Sequence, residues 1–405
     1  MLGYTIRRLL MAVPVMGIVA LIVFSLLYLT PGDPAMVLAG DQATPEQIEK
    51  IRAALGLDQP PHGTSVLDVA DPANPKVVAS IDIPPGLHSH KVRVANDVMV
   101  VNRERTRGEK PADDFVGLRI FDVSRPGNPR DICHWQCAGM GVHRFTFDGR
   151  YAYISTEQEG YIGTIVMILD LKDPTRPEEV GRWWMQGQWV AGGETPSWKA
   201  KNHRCHHPIR RGDRLYVSYW YGGGVILDIS DMTKPKLIAS LDWSPPFGWP
   251  THSLVPIDVP IAGHRWMLVA DEHVQPLDPK LSPELPAALW MVNITDETRP
   301  IPVSCFQLPE LVGIETPLMT ACHQPVETII GNEVPAAWFA NGLRVIDIAN
   351  PLSMKQAAWW MPDVPAGAQR VCSNDVYVDH RGLICRRSHT ASTQTGLSLT
   401  STLGP

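Results

Sequence analysis

The chain has 405 residues, 19% of them charged, and a formal net charge of −6. That length holds one large repeat domain or two ordinary ones. The slight acidity and the absence of a basic stripe argue against a nucleic-acid partner. Of seven cysteines only Cys133 and Cys137 lie close together, so buried bystander thiols are expected rather than a disulfide framework.

Residues 9–29, LLMAVPVMGIVALIVFSLLYL, run 21 positions without a charge, long enough for a helix to cross a bilayer. Arg7 and Arg8 precede the run and the next basic residue is Lys50, so the N-terminus is expected in the cytoplasm. A secretory signal is the competing reading. It would have a shorter apolar core and a small-residue cleavage site soon after Leu29. A short helix over 45–55 should follow. Thr44 caps it, Pro45 opens it and Gln47 completes a capping box. Ile48, Ile51 and Leu55 share one face, and Gly56 suits the stop.

Together with TPGDPA and ATPEQIEKIRAALGLDQP, these elements resemble the N-terminal segment of dipeptide/oligopeptide-type ABC transporter permeases over residues 1–60. The resemblance implies a membrane as partner. A permease would continue into further spanning helices and a loop that docks the ATPase. Nothing after Pro61 approaches twenty apolar residues. The segment therefore reads as a borrowed anchor, and ABC transporter subunits are not expected as partners. Peptide transport remains the alternative that these sixty residues alone would indicate.

From residue 64 to 384 one pattern recurs: a short apolar run ending in Asp or Asn, a Pro-rich turn, and a second strand. The copies begin SVLDVADPANP, RIFDVSRPGNP, MILDLKDPTRP, VILDISDMTKP, WMVNITDETRP and RVIDIANPLSM. Their anchors are Asp68, Asp122, Asp170, Asp228, Asn293 and Asp347, spaced 54, 48, 58, 65 and 54 positions apart. Hairpins such as HRFTFDGRYAYIS lie between anchors and supply the inner strands. The pattern resembles LVIVD-repeat proteins and implies an all-β fold, a β-propeller of six blades, or of seven with one incomplete. The first repeat begins without its inner hairpin. The last hairpin dissolves into polar sequence, and 385–405 is expected to be disordered. The two half-blades would complete each other.

Histidines recur at one place in this pattern. His90, His143, His207, His252 and His323 each precede an inner strand, and Ser373 holds the sixth place. Like ends of inner strands converge on a propeller channel, so a ring of imidazoles is expected. His88 and His206 are alternates. Such a ring suits a transition metal, with Cu, Zn, Fe and Ni not distinguished. The other reading is polar lining, hydrogen-bonded to neighbours and water. Cys205 and Cys322 each adjoin a ring position. Arg103, Glu104, Arg105, Glu157, Glu159, Asp271, Glu272 and His273 end the next strands and would form a channel mouth above the ring. Solvated loop charge is the plainer explanation.

No phosphate-binding loop, dinucleotide fingerprint, nucleophile elbow or zinc-protease motif is present. LVIVD repeats are distantly similar to the selenium-binding protein/methanethiol oxidase family, which implies metal-bound histidines but no particular reaction. The expected protein is a single-pass, membrane-anchored propeller on the periplasmic or extracellular side of a bacterial-type inner membrane. Its channel would bind metal and a small-molecule ligand, as an oxidoreductase or hydrolase. A non-catalytic binding or scaffold propeller is the alternative.

Overall fold

The computed structural model describes residues 63–72, 75–106, 115–198, 203–243, 247–274, 286–313, 316–364, 370–389 and 395–400. The expected membrane span over 9–29 and the short helix over 45–55 lie outside these residues. Among the described residues no helix is long and apolar enough to cross a membrane.

Strands β1 (Thr64–Asp68) and β2 (Lys76–Ile81) form a sheet of their own. Five four-stranded antiparallel blades follow. In the first, β3 (Leu87–His88) and β4 (Val92–Ala95) together make the inner strand, followed by β5 (Val98–Arg105), β6 (Gly117–Asp122) and β7 (Arg130–Gln136). The second holds β8 (Ala138–Phe147), β9 (Tyr151–Glu157), β10 (Thr164–Asp170) and β11 (Glu178–Trp183). The third holds β12 (His203–Arg211), β13 (Arg214–Trp220), β14 (Gly224–Asp228) and β15 (Lys236–Leu241). The fourth holds β16 (Thr251–Pro256), β17 (Trp266–Asp271), β18 (Leu289–Asn293) and β19 (Ile301–Phe306). The fifth holds β20 (Gln324–Pro325), β21 (Glu333–Ala337), β22 (Leu343–Asp347) and β23 (Lys355–Trp360). The last sheet is β24 (Ser373–Val378), β25 (Ile384–His389) and β26 (Thr395–Thr400).

The six anchors share one structural task. In each, the side-chain Oδ1 accepts the backbone N–H two residues on, at 2.8–2.9 Å, closing the turn after the strand. The pairing register also shifts just before every anchor, between Val66 and Leu67, Ile120 and Phe121, Ile168 and Leu169, Ile226 and Leu227, Met291 and Val292, and Val345 and Ile346. The repeat thus encodes a bulge and an Asx turn, which bend the two outer strands alike in each copy.

Neighbouring blades pack face to face through apolar side chains. Leu268 and Met291 in the fourth blade share one buried cluster with Ala336, Trp338 and Ile346 in the fifth. Burying each large aliphatic chain contributes about 1.5–3 kcal/mol. Short bridges also join successive blades, pairing Glu104 with Gly141, Trp220 with Thr251 and Phe339 with Ser373. Gly141 has φ +104°, and a Cβ there would fall 2.4 Å from the Arg103 carbonyl oxygen, so only glycine lets β8 approach β5 this closely.

The six inner strands, β4, β8, β12, β16, β20 and β24, surround one channel. Contacts run across it: Arg144 of β8 donates to the Gln324 side chain of β20 at 2.6 Å, and Lys91 lies 2.5 Å from Asp375 of β24. β1 and β25 are not paired in the described residues, although Arg381 donates to the Val69 carbonyl at 3.0 Å. In the last sheet β26 pairs along β25. TGLSLT carries no charge and has threonine at both ends, which suits a strand added to an open edge.

Candidate metal centre

Each inner strand carries a histidine, or Ser373 in the last sheet, within it or just before it at the same end of the channel, and there the imidazoles line up. Ring centroids are 5.3 Å apart from His88 to His90, 4.8 Å from His90 to His143 and 4.8 Å from His143 to His206. The series continues with 4.6 Å from His206 to His252 and 4.2 Å from His252 to His323. The alternates His88 and His206 belong to this arc. His207 does not continue it: its ring is 6.4 Å from that of His252, and its Nε2 faces Glu327 Oε1 at 3.5 Å.

Bulges explain why two consecutive residues both reach the channel. Register shifts fall at the start of β8, β12, β16 and β24, where strict alternation would turn one side chain away. The residue after four of the arc histidines enters a second layer. Lys91, Arg144, His207 and Gln324 occupy it, meeting Glu327 and Asp375. Gln324 Nε2 donates to Glu327 Oε1 at 3.0 Å, and Arg93 pairs with the same carboxylate. Burial pushes the Lys91 ammonium down to about 8 despite Asp375 beside it. Beyond this plug, at the turn end of the inner strands, lies a cavity of about 1490 Å³ lined by Arg93, Asp148, Arg210 and Glu327.

The expected mouth divides. Glu104 and Glu272 reach the arc itself. Glu104 accepts from His143 Nδ1 at 2.8 Å and lies 3.2 Å from His88 Nε2. Glu272 Oε1 lies 3.4 Å from His323 Nε2. Burial alone would raise the Glu104 carboxyl, but His143 and His88 outweigh it and hold the group well below the usual range. The other six are placed elsewhere. Arg103 lies over Phe115 and Arg105 donates to the Gly139 carbonyl. Glu159 is exposed and Glu157 half-buried, at the end of β9. His273 Nδ1 accepts the backbone N–H groups of Thr320 and Ala321 at 3.2 and 3.3 Å. Burial takes His273 down to about 4, with Arg370 adding to it. Cys205 and Cys322 sit in the apolar clusters between blades, and burial pushes both thiols up, against thiolate ligation.

Asp271 is buried, accepting from Trp290 Nε1 at 2.6 Å. Burial raises its carboxyl well above the ordinary value, so the protonated form is favoured. The folded state then holds a proton that the unfolded state releases near pH 3.9, and Asp271 costs stability as pH rises above that value. Asp271→Asn should stay within about 1 kcal/mol of the wild type at pH 5 and gain on it between pH 5 and pH 8. Urea unfolding at both pH values checks this, and a variant that loses ground at pH 8 contradicts it.

Two tautomers in the arc are fixed by their partners. The Glu104 carboxylate can only accept, so His143 Nδ1 carries the proton and its Nε2 offers a lone pair. The His252 carbonyl accepts from His206 Nδ1 at 2.9 Å, so the Nε2 of His206 offers a lone pair too. Those two Nε2 atoms face each other at 3.0 Å. Two lone pairs at that distance repel unless a cation or a shared proton lies between them. Beside them, His206, His252 and Glu272 each offer a ligand atom within 4.8 Å of the others. His252 Nε2 and Glu272 Oε2 are buried without a hydrogen-bond partner. Burial first, then neighbouring positive charge, keeps the His206 and His252 imidazoles well below their ordinary value and hence neutral, the state that metal ligation needs.

Comparison with known proteins divides the chain likewise. Residues 1–64 match the family model for the N-terminal region of binding-protein-dependent transport system membrane components. Residues 211–242 and 334–357 match the LVIVD repeat. The chain joins a permease-type N-terminal segment to an LVIVD-repeat propeller. A peptide transport system permease protein of Brucella abortus is 53% identical over 60 residues, 15% of this chain and 19% of the relative. The glutathione transport system permease of Escherichia coli is 48% identical over 60 residues, 15% of this chain and 20% of the relative. The chain thus spans about a fifth of the length of the curated relatives it matches. Among solved structures, the periplasmic gluconolactonase of Pseudomonas aeruginosa aligns at TM-score 0.49 with 13% identity, covering 82% of this chain and 89% of that one. The permease-like segment points to association with a membrane.

Proposed function

We propose that the propeller binds a divalent transition-metal ion at His143, His206, His252 and Glu272, and that this end of the channel carries out metal-dependent redox chemistry or hydrolysis on a small molecule. The observation that carries the reading is the pair of tautomer-fixed nitrogens 3.0 Å apart. Two nitrogens on one ion at about 2.0–2.1 Å each, with an angle of about 90–110°, lie roughly 3 Å apart. The donor set of three imidazoles and one carboxylate suits Zn, Cu, Fe or Ni. Glu104 orients His143 through its Nδ1 proton, and the His252 carbonyl orients His206, the outer support that metal-bound imidazoles use. His323 and Arg144 stand beside Glu272 and hold its carboxyl below the usual range against the effect of burial. A bound ion would polarise a substrate oxygen or acidify a bound water. The cavity at the far end is lined by His90, Lys91 and Glu327 but by none of these four donors, so substrate would enter from the histidine side.

The test is metal content. The full chain, purified in detergent, stripped with a chelator and reloaded with zinc, should retain at least one ion per chain after gel filtration. No retained zinc, copper, iron or nickel would leave a shared proton between His143 and His206 and end the metal reading. We further propose that residues 9–29 cross the membrane once, with Arg7 and Arg8 inside and the propeller outside. A reporter active only in the periplasm, fused after Gly63, should be active. Activity of a cytoplasmic reporter at that position instead would reverse the topology.

A further inference from the structure

We infer that the arc holds a second metal position, formed by His88, His90 and Glu104, beside the one proposed above. It extends the metal reading but draws on donors the first position does not use as ligands. Ligand atoms of these three residues lie within 4.8 Å of one another. Glu104 Oε2 is 3.2 Å from His88 Nε2 and 3.8 Å from His90 Nδ1. An imidazole nitrogen and a carboxylate oxygen, each about 2.0–2.2 Å from one ion, span a little over 3 Å at common angles. The His88 spacing fits this directly, and the His90 spacing needs a small movement.

A second observation comes from Asn102. Its Oδ1 accepts the backbone N–H groups of His90 and Lys91, at 3.0 and 2.8 Å, so the orientation of the amide is fixed. Its Nδ2 donates to the Val142 carbonyl at 2.8 Å and faces His90 Nδ1 at 3.3 Å. A donor there means that His90 Nδ1 carries no proton, so this nitrogen, 3.8 Å from the Glu104 carboxylate, could exchange its long contact with Asn102 for a cation. His88 is about one-third exposed, which leaves this position open to solvent and to a small oxygen or nitrogen ligand.

Glu104 then serves both positions. It ligates the second ion and accepts the Nδ1 proton of His143, whose Nε2 faces the first. The ligand class is again a divalent transition metal, and the two ions would be coupled through one carboxylate and one imidazole.

The experiment counts zinc on the full chain in detergent. Wild type should hold two ions per chain, and both His88→Ala/His90→Ala and His206→Ala/His252→Ala should hold one. One ion in wild type, unchanged in His88→Ala/His90→Ala, overturns the second position and leaves the first. One ion lost in that variant but kept in His206→Ala/His252→Ala does the reverse. If either variant loses its β-sheet circular dichroism, cobalt titration of the wild-type chain decides instead. Two successive saturable absorption changes of one equivalent each support the inference, and saturation at a single equivalent overturns it.

Discussion

Glu327→Gln should destabilise the propeller by roughly 3 kcal/mol, the low end for removing one partner of a buried ion pair. Glu327 faces Arg93, lies 3.6 Å from Lys91 Nζ and 3.5 Å from His207 Nε2, and accepts from Gln324. Glutamine keeps the volume and much of the hydrogen bonding but removes the charge paired directly with Arg93, leaving Asp375 as the further acidic group near it. Arg93 keeps some contact with water, with a quarter of its side chain exposed, which limits the loss. Burial works to raise the Glu327 carboxyl, yet Arg93, His207 and Lys91 hold it well below the usual range. Its contribution is therefore complete above the unfolded carboxylate value of about 4.3 and lost as pH falls through the depressed folded value. Asp375 acts alike over the window from about 3.9 down to about 2, held there against burial by Lys91 and Arg144. Urea unfolding from pH 7 to pH 3 should show wild type losing its advantage over Glu327→Gln below about pH 4.5. Equal stability at pH 7 would mean the plug contributes nothing. The pair Arg93→Met with Glu327→Leu should recover much of the loss, since it leaves neither charge unpaired.

The sequence carries the blades clearly because their turns depend on local chemistry. An Asp or Asn at the end of an apolar run makes an Asx turn in all six copies, and that bond needs no distant partner. The level of the histidines was also legible, since His90, His143, His252 and His323 sit at like ends of inner strands. The choice between His206 and His207 was not. It depends on a register shift between His203 and His207 that no local motif announces. A signal was nevertheless present: His90, His143, His252 and His323 are each followed by a polar residue, and of His206 and His207 only His206 gives the same pair, because Pro208 follows His207. That comparison would also have pointed to the second layer of Lys91, Arg144, His207 and Gln324. Glu104 and Glu272 were visible as recurring charges at strand ends. Their turn into the arc depends on the contact between neighbouring blades, and spacing within one blade does not encode it. The neighbouring Trp359 and Trp360 divide in the same way: Trp360 packs against the buried cluster of the fourth and fifth blades, whereas Trp359 is 55% exposed, with the Arg344 guanidinium over its ring.

Replacing His206 by alanine should weaken zinc binding at the first position by more than 100-fold, whereas His207→Ala should change it only a few-fold. Even the loss of an outer hydrogen-bond partner costs a zinc site about 10–100-fold, and His206 supplies the lone pair that faces His143 Nε2 at 3.0 Å. His207 is fully buried, but it faces Glu327 in the layer below. Its removal opens a small space and frees one contact of that carboxylate without touching the donor set. Competition against a chromophoric chelator, on the full chain in detergent, separates the two variants. Acid should act in a particular order as well. Burial, and then the positive groups around them, depress the His206 and His252 imidazoles well below the ordinary value of about 6.5. These ligands remain neutral while exposed histidines protonate, so zinc should stay bound as pH falls through 6.5 and leave only in more acidic solution. The apo chain follows the same sign. Its unfolded histidines take up protons below pH 6.5 while the buried ones do not, so apo stability falls with pH over that window, and bound zinc should raise the whole curve without changing its slope for as long as the ligands stay neutral. Zinc release centred at or above pH 6.5, or a loss with His207→Ala equal to that with His206→Ala, would place the ion outside the arc.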